Sequence, residues 1–153
     1  MDRYEIVDGK YILMDEELGI FIEEPFVGAE LRGSSHYLGE QLHGPSLFYN
    51  EAGVLLVHHW FYKGKRQGKG LQYYASGKPY CTERYKEGNR EGRQEYYYED
   101  GTLKSLLHYC NGQLHGQVLL YWPDGTIKRE VHFERGVKKG PDKIYSEAGV
   151  LYA

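Results

Sequence analysis

The histidines, cysteines and paired acids are the residues of this 153-residue chain best suited to chemistry, and there are seven His and two Cys. Imidazoles at a shared column would suggest a metal site or a general base. His108 and His132 stand 24 residues apart, in a column that Trp60 and Arg84 occupy earlier in the chain. If one column step is two strands, the rings are ~10 Å apart. Zinc needs ligands at ~2.0–2.1 Å from a single ion, so the two cannot share one. His58 and His59 are neighbours on a strand and face opposite ways, as do Glu23 and Glu24. Cys81 and Cys110 lack Cys-x-x-Cys spacing and read as small strand residues. No glycine cluster is followed by Gly-Lys-Ser/Thr, so a phosphate loop is excluded. The expectation is a protein that is not an enzyme, with no catalytic residue, metal or cofactor.

The elements that position these residues are set by glycine. Glycines stand at 44, 68, 92, 116 and 140, again at 53, 77, 101, 125 and 149, and again at 64, 88, 112 and 136. Every interval within a set is 24. A tyrosine lies between the first two sets each time, at Tyr49, Tyr73, Tyr97, Tyr121 and Tyr145, and an aromatic precedes the third, at Phe61, Tyr85, Tyr109 and Phe133. A fixed period of this length marks a repeat architecture, in which each unit contacts its neighbours. Apolar and aromatic alternation between turn residues makes the unit a β-hairpin. The predicted fold is all-β, an elongated single-layer antiparallel meander of hairpin repeats. Residues 1–18, with Asp8-Gly9 between two apolar runs, read as an N-terminal hairpin cap. Residues 19–43 are a degenerate copy, 44–139 hold four regular units, and 140–153 a partial C-terminal one.

Sixteen tyrosines and twenty glycines suit pleated surfaces and tight turns. A net charge of −3 with interspersed signs argues against nucleic acid as partner, since such binders carry a basic footprint. No apolar run is long enough for a membrane span, and the N-terminus lacks a signal-peptide pattern. With two free thiols, a cytoplasmic location is expected.

Trp122-Pro123-Asp124-Gly125-Thr126 sets the register. Proline cannot donate a ladder hydrogen bond, which excludes a two-residue loop here. A three-residue loop, with Pro123 opening a type I turn and Gly125 left-handed, places Trp122 opposite Thr126 and Tyr121 opposite Ile127. Simple alternation then puts the invariant tyrosines on a structural face with Leu47, Leu71, Leu119, Leu55, Leu103, Ile127, Leu151, Val57, Leu107, Val131 and the ring column Phe61–Phe133. Glycines 53, 77, 101, 125 and 149 (Gly53, Gly77, Gly101, Gly125 and Gly149) are structural in the same sense. The opposite face collects variable residues: Trp60, Tyr74, Tyr80, Arg84, Tyr96, Tyr98, His108, Trp122 and His132, with Phe48, Leu120, His58, Lys78, Lys104 and Lys128 among them. Aromatics mixed with Arg, Lys and His have the composition of interface hot spots, so this is the candidate partner-binding face.

Tyr97-Tyr98-Glu99-Asp100-Gly101, then Tyr109-x-x-Gly112 and His115-Gly116, resemble the variant MORN repeats of bacterial proteins. The likeness runs through 44–153 and more faintly through 19–43. It implies hairpin arrays that act as protein-interaction modules, some of them resembling antitoxin or immunity proteins that neutralise a toxin. A homodimer is a further version of a protein partner. The alternative the resemblance raises is a membrane-surface, phospholipid-associated scaffold.

Overall fold

A computed structural model describes residues 3–7, 10–15, 20–25 and 30–152, with side chains at 30 and 33–152. Every element among these residues is a strand. Three of them, β1 (Arg3–Val7), β2 (Lys10–Asp15) and β3 (Ile20–Pro25), form a small antiparallel sheet. The Asp8-Gly9 turn of the sequence reading lies outside the described residues, as do residues 19 and 26–29 of the degenerate copy. The degenerate copy is divided: β3 belongs to the small sheet, while β4 (Glu30–Arg32) and β5 (Ser35–Leu38) begin the large one.

The large sheet has 14 strands in antiparallel order. Long strands come in pairs: β6 (Gln41–Tyr49) with β7 (Leu55–Tyr62), β9 (Gly68–Tyr73) with β10 (Pro79–Lys86), β12 (Gly92–Tyr97) with β13 (Leu103–Cys110), and β15 (Gly116–Tyr121) with β16 (Ile127–Glu134). Two-residue strands, β8 (Lys65–Arg66), β11 (Asn89–Arg90) and β14 (Gln113–Leu114), return from the far end of each pair. The strand β17 (Val137–Ile144) closes the series against β16. This is the single-sheet meander expected from the period.

The hairpin loop follows the proline argument. Trp122 N–H donates to Thr126 O at 2.8 Å and Gly125 N–H to Trp122 O at 2.9 Å, and Tyr121 pairs with Ile127. Gly125 has φ +90°, which a side chain would strain. The same pair of bonds closes the loops at Asn50, Tyr74, Tyr98 and Ser146.

One residue beyond each loop the alternation breaks. Tyr121 pairs with Ile127, but Leu120 pairs with Arg129, so Lys128 is an extra residue in a β-bulge. Tyr80 and Lys104 are the extra residues of the two preceding units. Past the bulge every side chain of the returning strand changes face. Val57, Leu107, Val131 and the rings Phe61, Tyr85, Tyr109 and Phe133 therefore lie opposite the invariant tyrosines, which corrects the single structural face expected above. Trp60, Arg84, His108 and His132, expected opposite the tyrosines, share their face instead. The loop register was right; the bulge, which no residue type announces, inverted half of each unit.

The other hairpin ends turn tightly. Lys63-Gly64, Glu87-Gly88, Asn111-Gly112 and Arg135-Gly136 all have positive φ at both residues, the signature of a type I′ turn. Asparagine suits the first of these positions; Lys, Glu and Arg do not. Among the described residues buried side chains are few: Trp60, Cys81, Tyr85, Val118 and Val131 among the apolar ones, with His43, His59, Thr82, Glu83, Arg84 and Gln94 among the polar. They are spread along the layer from β6 to β16 rather than gathered in one interior. The turn geometry gives a direct expectation. Arg135→Asn stabilises the protein by ~0.5–1 kcal/mol and Arg135→Val destabilises it by ~1–2 kcal/mol, as urea denaturation would show.

Candidate interaction surface

Strand pairing in this sheet is incomplete by construction. The strand β10 pairs with β12 only at Cys81–Tyr96 and Thr82–Glu95, and with β11 only at Tyr85–Arg90 and Lys86–Asn89. Backbone groups at the fork would lack ladder partners, and a buried unpaired N–H or C=O costs ~1–3 kcal/mol. Side chains supply the missing bonds, in three columns.

At the type I′ end, the N–H of the first turn residue meets a side chain 20 residues earlier. Lys63 N–H donates to His43 Nδ1 at 2.9 Å, Glu87 N–H to Gln67 Oε1 at 2.7 Å, Asn111 N–H to Glu91 Oε2 at 2.8 Å and Arg135 N–H to His115 Nδ1 at 3.1 Å. At the fork, the His36 ring bonds Pro45 O at 2.9 Å, Arg84 Nη1 donates to Arg93 O at 2.8 Å, and the His108 ring bonds Gln117 O at 2.9 Å. At the loop end, Tyr74 Oη donates to Tyr97 O and Tyr98 Oη to Tyr121 O, both at 2.7 Å, and Trp122 Nε1 to Tyr145 O at 3.2 Å.

Much of the variable set expected to bind a partner is thereby engaged within the sheet. Arg84 and His108 look variable as residue types, yet both bring an N–H to the same backbone place. Tyr74, Tyr98 and Trp122 likewise differ in ring and agree in donating 23 residues ahead. Shared donor chemistry at one column was the sequence signal that alternation alone overlooked. Trp60 is 4 % exposed, while His132 is exposed on the tyrosine face.

Tyr80 and Tyr96 remain together on the reverse face, with ring centroids 6.0 Å apart edge to face and Tyr74 5.1 Å beyond Tyr80. They line a hollow of about 260 Å³ with Lys104, Ser105 and Leu107. Lys104 Nζ lies 5.7 Å from the centre of the Tyr98 ring, and Lys128 Nζ 4.7 Å from that of Trp122. Phe48, also on this face, is 63 % exposed.

Beneath the hollow lies a polar cluster that the sequence did not disclose. Glu83 accepts from Tyr96 Oη at 2.7 Å, Tyr85 Oη at 3.0 Å, Arg90 at 3.0 Å and Gln72 Nε2 at 3.3 Å. Burial alone would raise its pKa, but the Tyr96 hydroxyl, the Arg90 charge and the Tyr85 hydroxyl hold it below the usual glutamate value. Glu95, on the other face, is held low in the same way by Tyr97, Arg84 and Arg93 against its own desolvation. Burial pushes the Cys81 thiol up to about 12. Gln94, fully buried, replaces a strand at the fork: its Oε1 accepts Arg84 N–H at 2.7 Å and its Nε2 donates to Arg84 O at 3.0 Å. The His59 ring lies over Gly70, where an added Cβ would come within 2.5 Å of it, and burial followed by the Arg66 charge lowers its pKa to about 4.

Two expectations follow from these bonds. Tyr98→Phe keeps the ring and removes the donor to Tyr121 O, so it destabilises by ~0.5–1.5 kcal/mol in chemical denaturation. A neutral His59 means that the unfolded chain binds more protons than the folded one between pH 6.5 and about 4. Stability therefore falls as pH drops through that window, by up to ~3 kcal/mol from this residue, and Glu83 and Glu95 add further loss at lower pH. The urea midpoint of His59→Gln should decline less steeply between neutral pH and pH ~4.5 than that of the unaltered protein.

Comparison with known families places residues 66–87, 90–111 and 114–135 in the MORN repeat variant. The three matches are in phase with the 24-residue period, and each runs from a two-residue strand position to the next type I′ turn. No curated protein matches the chain.

Proposed function

From the premise that the chain is a MORN-repeat protein of the variant type, a class of protein- and membrane-interaction repeats, we propose that it is a non-enzymatic scaffold that binds another protein through the reverse face. The observation that carries this reading is the aromatic hollow of Tyr80 and Tyr96 bordered by Lys104, with the Trp122–Lys128 pair one repeat on. Exposed rings on an open sheet surface match the aromatic-enriched composition of protein interfaces, and the lysines at their edge suit its polar, solvent-accessible rim.

Binding is favoured over catalysis because the two reactive groups nearest the hollow, Glu83 and Cys81, are not free to react. Glu83 is saturated by four donors, and the Cys81 thiol is buried and strongly protonated. The finer version of the proposal is an antitoxin or immunity role, in which the partner is a toxin that the chain covers. Two free cysteines, one of them exposed, are consistent with a reducing cytoplasm.

A photo-crosslinking amino acid at position 104, in the full chain expressed in its native host, tests the reading against the same group at Gln117 on the tyrosine face. A discrete protein adduct from position 104 and none from 117 is expected. An adduct of twice the chain's mass would identify the partner as a second copy, and a partner whose toxicity the chain suppresses would establish the immunity version. The absence of any protein adduct at position 104 would refute the proposal.

A further inference from the structure

The reverse-face strip between Tyr80 and Trp122 has a charge pattern of its own. The chain carries a net charge of −3, yet among the described residues Lys104 and Lys128 have no carboxylate within 4 Å, whereas the nearby cations Arg90 and Arg129 are neutralised by Glu83 and Asp142. Arg129 is held by both Asp142 oxygens, at 2.8 and 2.6 Å. Both lysines are the extra residues of β-bulges and both are exposed. A bulge re-aims its side chain, here toward the neighbouring ring rather than along the regular pleat. Ring contacts hold each ammonium group beside an aromatic surface and leave its N–H groups open to an anion.

The two lysines occupy one column in successive units, two strand spacings apart, which is ~10 Å. An extended β-peptide repeats its side chains on one side every ~7 Å and so has no match at this distance. A polyproline II segment repeats every three residues at ~9 Å, and its ridged surface packs against aromatic grooves. We propose that this strip binds an acidic, proline-rich segment of a partner protein, running across the strands. In that segment two carboxylates three residues apart meet Lys104 and Lys128 across β15, and prolines flanking this pair lie in the hollow of Tyr80 and Tyr96 on one side and against Trp122 on the other. This rests on the reading of the reverse face as a protein-binding surface, and it specifies the chemistry that surface accepts.

The test uses the full chain and fluorescein-labelled synthetic peptides followed by anisotropy. One peptide places two glutamates three residues apart in a proline frame, a second places them two apart, and a third replaces both glutamates with lysine. The first should bind, more tightly than the second, with no binding of the third. Affinity should fall with added salt and drop about tenfold or more in a K104E/K128E double variant whose circular dichroism is unchanged. No binding of the first peptide at millimolar concentration, equal binding of the lysine peptide, or unchanged affinity in the double variant would each overturn the proposal. So would phosphatidylserine vesicles that bind in a manner dependent on both lysines while the peptides do not. A protein adduct at position 104 together with a failed peptide titration would leave the protein-binding reading standing and remove only this inference.

Discussion

A sheet one layer thick must satisfy its backbone without the help of an enclosed core. Where β10 passes from β12 to β11, or a hairpin end lies between two ladders, N–H and C=O groups have no strand to pair with. The structure depends on side chains reaching those groups: His43 and its column at one edge, Arg84 and His108 at the fork, Tyr98 and Trp122 at the other edge. Each such bond contributes only ~1 kcal/mol net, but leaving its backbone partner dry and unpaired would cost more. Gln94 shows the logic most plainly, since its amide pairs with Arg84 as a length of backbone would. Packing follows from this arrangement. The rings that staple neighbouring units also cover one another's flanks, and the buried apolar residues, Trp60, Cys81, Tyr85, Val118 and Val131, lie along the sheet on strands flanked on both sides.

Periodicity made most of the fold legible. Glycine columns placed the turns, and Pro123 alone was enough to select the loop and the pairing of Tyr121 with Ile127. The bulge was not legible, because the extra residue is Leu56, Tyr80, Lys104 or Lys128 and nothing in those types distinguishes it from an ordinary strand position. Its consequence for the site was large. Trp60, Arg84, His108 and His132 moved to the tyrosine face, and a set read as one surface became two. Tyr80 and Tyr96 stayed together with the lysines because they lie at the bulge or on the outgoing strand, where the alternation still holds. The Glu83 cluster was hidden for a different reason: it joins residues from β9, β10, β11 and β12, and although Gln72 and Tyr96 share a column 24 residues apart, no column spacing connects them to Tyr85 or Arg90.

Variation along a column carries two meanings here. At the fork it is tolerance, since His and Arg both deliver an N–H to a waiting carbonyl. In the reverse-face hollow it is difference in kind: the bulge column changes from Tyr80 to Lys104 to Lys128, and the exposed surface changes chemistry with it. The second sort of variation changes what the surface offers to solvent. The distinction rests on whether the polar atom of the side chain is used inside the sheet, as Tyr98 and Trp122 show by donating to backbone and presenting only their rings, while the ammonium groups of Lys104 and Lys128 remain turned outward.

All three columns of staples point the same way along the chain. His43 serves Lys63, Arg84 serves Arg93, and Tyr98 serves Tyr121; in each case the side chain belongs to the earlier unit and the backbone group to the later one. A ribosome releases the chain in that order. Each hairpin thus follows in the chain the donors and acceptors that its backbone will meet. The information that registers a rung is written before the rung itself.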